Sequence, residues 1–255
     1  MAVEASRRRL SDAPILILEP HFDDAALSCA ALLDRGRAVD VVTVFAGEPD
    51  PPRRGAWDEV CGFADSAEAL ATRRQEQAAA FAGAAHRVGS LPLLERQYLD
   101  GARPDSDHVA IGAAVTGWAA RNPAGLVALP AGAGWSAPGV VRRAARLVGR
   151  DRVRPHEAHV LVRDAALAVL NADWTPLLYE ELPYLFGGRA DGAARTAARG
   201  AGRRAVAVVE EVDSARKAAR IACYASQVPG ISPAGAALDD PAALPPVERY
   251  WLLEP

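Results

Sequence analysis

One stretch constrains this chain more than any other: Ile15-Leu16-Ile17-Leu18-Glu19-Pro20-His21-Phe22-Asp23-Asp24-Ala25-Ala26-Leu27. Its unbroken apolar run, half of it β-branched, reads as a buried strand, and the Ala/Leu-rich sequence after the two aspartates reads as a helix. His21 to Asp24 then occupy a strand-to-helix turn, where open α/β sheets bind their ligands. One imidazole and two carboxylates within four residues can divide the labour of a hydrolytic metal site. With His21 and Asp24 on a cation, Asp23 points elsewhere and is free to take a proton from a metal-bound water. The competing structural reading makes Asp23 or Asp24 the N-cap of the helix. His21 directly before them favours chemistry.

After Gly36, Val39 to Phe45 is a second apolar, β-branched run. Two strands separated by one helix make a right-handed βαβ unit, so the class is α/β with a parallel sheet. Further strands are expected around Arg87–Val88, Leu126–Pro130, Leu177–Glu180 and Ala205–Val209. Helices are expected over Asp24–Arg35, Ser66–Ala85, Asp105–Ala120, Pro138–Leu147, His156–Leu170 and Ser214–Ala225, ahead of a Pro-rich tail. The 255 residues carry no evident repeat or linker. They read as one domain over 14–255 behind a flexible tail, 1–13.

Two loops stand out. Ala46 to Asp65, broken by Pro49, Pro51 and Pro52, reads either as a lid anchored by Trp57 or as a surface excursion without a role. Ala131-Gly132-Ala133-Gly134-Trp135 leaves a strand end but lacks a Walker lysine and a dinucleotide spacing, which excludes a P-loop.

The net charge of −3 leaves no basic footprint for nucleic acid, so a small-molecule substrate is expected. No stretch has the length of a membrane span or a signal peptide, which points to a soluble, cytoplasmic protein; homo-oligomerisation is compatible with the sequence. Cys29, Cys61 and Cys223 form no CxxC pair, which argues against a disulfide framework and a thiolate zinc site.

A second cluster, Arg154-Pro155-His156-Glu157-Ala158-His159, puts two imidazoles three residues apart at a helix start. Joined to the first turn, it supplies His21, Asp24 and a second histidine, a set that leaves positions open on Zn2+ and also suits another divalent ion such as Fe2+. The spare histidine is then available to an oxyanion or a leaving amine, which is the chemistry of amide hydrolysis. Arg73 and Glu76, one turn apart, read as a solvated pair. Arg73, Arg74 and Asp100 are candidates to grip a polar substrate, arginine through its rigid fork.

Pro20-His21-Phe22-Asp23-Asp24-Ala25 resembles the PHxDD(E/A) signature of the PIG-L or LmbE-like deacetylases, zinc hydrolases that remove acyl groups from amino sugars and related metabolites. The resemblance extends to Arg73-Arg74-Gln75-Glu76, Leu99-Asp100-Gly101, Ser226-Gln227 and, as a counterpart of His-x-Asp-His, His156-Glu157-Ala158-His159. It implies a single Rossmann-like domain with a mostly parallel sheet flanked by helices. By position it makes His21, Asp24 and His159 the zinc ligands, Asp23 the general base, and His156 the group that stabilises the oxyanion or protonates the leaving nitrogen. Two departures stand out: Ala158 replaces an aspartate that supports the neighbouring imidazole, and Pro155 stands where glycine is more usual. Loss of such a supporting carboxylate typically costs about 10–100-fold in affinity or activity. The expected function is N-deacetylation of an amino sugar, glycoside or related intermediate of secondary metabolism. A binding module that has lost catalysis, and an amidase for a larger acyl group or thiol conjugate, are the alternatives.

Overall fold

The computed structural model describes residues 10, 12–36, 39–134, 156–171, 173–187, 190–233 and 236–255. The helix expected over 138–147 lies outside the described residues, as do Trp135, Arg154, Pro155 and, of the expected tail, residues 1–9 and 11. Leu10 and Ala13, by contrast, are buried in the core.

In chain order the elements are β1 (Ile15–Glu19), α1 (Asp24–Ser28), α2 (Ala30–Leu33), β2 (Asp40–Thr43), α3 (Ala56–Cys61), α4 (Ser66–Ala80), β3 (Arg87–Ser90), α5 (Ser106–Arg121) and β4 (Leu126–Pro130). There follow α6 (Glu157–Val169), β5 (Leu177–Tyr179), α7 (Ala190–Gly200), β6 (Arg204–Glu211), α8 (Ser214–Ile221), α9 (Val228–Ile231) and β7 (Val247–Glu254). The sheet order is β3-β2-β1-β4-β5-β7-β6. The first five strands are parallel, and β7 runs antiparallel to both β5 and β6. This is the expected α/β class with a mostly parallel sheet.

Every residue of β1 is buried, because its two faces meet two different cores. Leu16 and Leu18 join Val127 and Leu129 against Ile111 and Val162 of α5 and α6. Ile15 and Ile17 join Val41 and Ala128 against Ala25, Cys29 and Leu32 on the other side. A central parallel strand covered on both faces needs such a continuous apolar run. The chain winds outward from β1 to β3 and resumes at β4 on the other side of β1. The carboxyl ends of β1 and β4 therefore flank a topological switch point, where a crevice opens for ligands.

Four expectations are corrected. The first helix does not run unbroken from Asp24 to Arg35; it breaks at Cys29, whose φ of −130° and ψ of 25° are not helical. The break leaves the amides of Ala30 and Ala31 to donate to the Glu248 carboxylate at 3.0 and 2.8 Å. The Pro-rich tail holds a full strand, β7, that enters the sheet between β5 and β6, and the unexpected helix α7 precedes β6. The loop over Ala46–Asp65 contains α3. Arg73 and Glu76 are not a solvated pair, since both are buried.

Candidate active site

The turn after β1 is held from beneath. Glu19, the last residue of the strand, accepts hydrogen bonds from the Ala25 amide (3.0 Å), Thr43 Oγ1 (2.6 Å) and Gln77 Nε2 (2.6 Å). Burial nevertheless pushes its carboxyl up to about 8. Asp23 stands at the N-cap position of α1, yet its side chain makes no capping bond. The structural alternative for this residue is therefore not realised, and its carboxylate is left for other work. Asp24 Oδ2 accepts from the backbone amide of His21 at 2.8 Å, which closes the turn.

The second cluster arrives from across the switch point. His156, whose amide donates to Ala133 O at 3.0 Å, stands directly before α6, and His159 lies in its first turn. His159 Nε2 comes within 3.6 Å of Asp24 Oδ1, and His21 Nδ1 within 3.4 Å of Asp24 Oδ2. One ligand atom from each of His21, Asp24 and His159 lies within 4.8 Å of the others. Two imidazoles and a carboxylate converging in this way match the donor set of a divalent cation such as Zn2+ or Fe2+. The field has the same sense. Burial works against a charged His21, but Glu95 and Asp24 overcome it and raise the imidazole to about 10. Burial also opposes ionisation of Asp24, yet His159 and His21 hold its carboxyl far below the ordinary range. Positive charge between these groups is strongly favoured.

Asp23 and Arg73 face the same cleft of about 440 Å³, together with His21, Asp24, His156 and His159. Arg73 NH2 is 3.7 Å from Asp23 Oδ1. Burial raises the Asp23 carboxyl, with Arg73 opposing, as suits a proton acceptor. His156 is pushed down to about 3 by burial, then by His159 and His21, and its Nδ1 has no hydrogen-bond partner among the described residues. At neutral pH it is a neutral imidazole. Asp100 is elsewhere: 83 % of its side chain is exposed, it pairs with Arg53 at 2.5 Å, and it does not line the cleft.

The expected lid region supplies one wall. Trp57 of α3 donates from Nε1 to Gln227 Oε1 at 2.8 Å, and its amide donates to Gln97 Oε1 at 2.9 Å. Gly230 lies against its ring, where an added Cβ would come within 2.9 Å of Cη2. Glu76 fixes the opposite end of that wall by accepting from the Ser226 amide and hydroxyl at 2.7 and 2.8 Å.

Three site residues, Glu95, Glu181 and Tyr184, were not found in the sequence, and Gln227 was marked only by the resemblance of Ser226-Gln227. Glu95 accepts from or abuts His21 Nε2 at 2.9 Å, Glu181 lies 3.2 Å from His159 Nδ1, and Tyr184 and Gln227 line the cleft. The two glutamates carry no motif of their own. Only Glu181, directly after the strand expected over Leu177–Glu180, had a position that could have marked it; Glu95 lies in a loop seven residues beyond Val88.

No protein-family model and no curated protein matches the chain. Solved structures do. The pseudoaglycone deacetylase of the antimicrobial A40926 superposes with a TM-score of 0.66 at 24% identity, covering 94% of this chain and 97% of that one. A deacetylase of teicoplanin biosynthesis gives 0.63 at 25% identity over 94% and 98%. A 4-carboxy-2-hydroxymuconate hydratase from Pseudomonas putida KT2440 gives 0.52 at 16% identity over 84% and 80%. The chain therefore has the fold of these deacetylases. Because a hydratase shares it, the fold alone does not select the reaction, and the side chains in the cleft must.

Proposed function

We propose that this chain is a deacetylase of the PIG-L/LmbE-like kind, a metal-dependent hydrolase that removes an acyl group from the nitrogen of an amino sugar, glycoside or related biosynthetic intermediate. One observation carries the reading: His21, Asp24 and His159 converge on one point while Asp23 stands apart from them in the same cleft. His21, Asp24 and His159 would hold the cation, Zn2+ in this reading, although the donors also suit Fe2+. When bound, it supplies Lewis acidity to an amide carbonyl and makes water a nucleophile at neutral pH.

The remaining work belongs to this chain's own groups. Asp23 takes a proton from the attacking water on a carboxylate oxygen, and its raised pKa lets it return that proton to the nitrogen as the C–N bond breaks. His156, held neutral, donates a ring N–H to the developing oxyanion instead of acting as a charged acid. Arg73 restrains Asp23 and offers its fork to substrate oxygen atoms. The apolar wall of Leu27, Trp57, Val60 and Ile231 favours a substrate that carries more apolar surface than an acetyl group alone, which keeps the larger-acyl amidase as a second reading. No described helix is long and apolar enough to cross a membrane, which fits a small-molecule enzyme of the cytoplasm.

Elemental analysis tests the reading. About one zinc per chain is expected, lost in His21→Ala and His159→Ala. Protein that stays metal-free in zinc-supplemented buffer would favour the binding module instead.

A further inference from the structure

The sequence lacks the carboxylate expected at Ala158, yet each of the two converging histidines has a glutamate on its far ring nitrogen. Glu181, two residues beyond β5 and fully buried, places Oε1 3.2 Å from His159 Nδ1. The same carboxylate accepts from the amides of Gly132 (2.8 Å) and Ala133 (3.1 and 3.2 Å). This accounts for the Gly-rich loop after β4. Gly132 has a φ of +79°, a backbone region that favours glycine, and it lets two successive amides point at one anion. The loop thus holds an internal carboxylate, in keeping with its lack of a phosphate-binding motif. Glu95, in the loop after β3 and facing the cleft, places Oε2 2.9 Å from His21 Nε2.

A carboxylate only accepts, so the ring nitrogen facing it carries the proton. Glu181 thereby holds a proton on His159 Nδ1 and Glu95 holds one on His21 Nε2, so a cation that displaces the second proton of each ring would meet His159 Nε2 and His21 Nδ1. These are the nitrogens that face Asp24, at 3.6 and 3.4 Å. We propose that Glu181 and Glu95 are the positioning residues of the metal site, each locking one histidine in the ligating tautomer, in place of the carboxylate absent at 158. This rests on the metal-dependent reading above. Ligating histidines oriented by a carboxylate are a general feature of metal sites.

The test is zinc affinity, measured on metal-free protein by competition with a chromophoric chelator, with the visible absorption of the cobalt-loaded protein as a second readout. Glu181→Gln keeps an oxygen that can accept from the Gly132 and Ala133 amides and from Nδ1–H, but removes the negative charge that holds the proton on Nδ1 and raises the basicity of Nε2. It should weaken zinc by about 10–100-fold, and Glu95→Gln should shift affinity in the same direction. Both should alter the cobalt bands. Circular dichroism of each metal-free variant checks the fold; if Glu181→Gln does not fold, Glu95→Gln at the cleft surface decides. Wild-type affinity and an unchanged cobalt spectrum in the folded variants would overturn the positioning role while leaving the proposed function intact. Wild-type protein that binds neither zinc nor cobalt would overturn both.

Discussion

The polar cluster around Glu248 and the one around Asp24 are both buried and both join distant parts of the chain, but one is closed and the other loose. Glu248 accepts from Lys217 Nζ at 2.7 Å, the Ala30 and Ala31 amides at 3.0 and 2.8 Å, and Tyr250 OH at 2.5 Å. In the Asp24 cluster the His21–Asp24, His159–Asp24 and Arg73–Asp23 pairs stand at 3.4, 3.6 and 3.7 Å, and among the described ion pairs of the cluster only those of the two histidines with Glu95 and Glu181 are closer. There, Arg73 Nε and His156 Nδ1 have no partner among the described residues. A fully satisfied network rigidifies a core, whereas groups left short of partners are held ready for something else. The difference separates what keeps this molecule folded from what it does.

That contrast can be broken experimentally. In the loose cluster, Asp23→Asn should lower kcat by about 10²–10⁴-fold while bound zinc and melting temperature stay near wild type, measured by amine release, elemental analysis and calorimetry. A large loss of stability would show the cluster to be structural. In the closed cluster the pattern should invert. Lys217→Ala strands a buried carboxylate and should cost about 3–5 kcal/mol, a melting temperature lower by roughly 10 °C at this chain length, with little change in kcat for the protein that remains folded. Smaller effects should come from the cleft wall. Gly230→Ala pushes a methyl toward Trp57 and Val60 and should raise KM a few-fold with kcat preserved. The smallest should come from the surface pair Arg87–Asp40, where Arg87→Ala is expected to leave the midpoint of chemical denaturation near wild type.

The same contrast explains what the sequence disclosed. The Ile15–Leu18 run, the turn after it and the paired histidines of α6 are local signals, because strand burial and helical spacing are written in adjacent residues. The break at Cys29 was hidden because its cause, Glu248, lies 218 residues beyond Ala30. β7 was hidden behind Pro245-Pro246, which in sequence punctuate a loop and in space merely start a strand. Glu95 and Glu181 were hidden for the same reason as Glu248: a carboxylate that acts at a distance leaves no spacing to read. The expected solvation of Arg73 and Glu76 failed because helix periodicity cannot say that Asp23 and Ser226 will pack onto α4.

Lys217 is the only lysine in the chain, and its side chain is 1% exposed. Amine-directed reagents should therefore leave the side chains of the native protein untouched, so conventional lysine crosslinking and resin coupling will fail through the folded surface. The same fact supplies a built-in reporter: acylation of Lys217, followed by mass spectrometry, would time how often α8 parts from β7, without introducing any label.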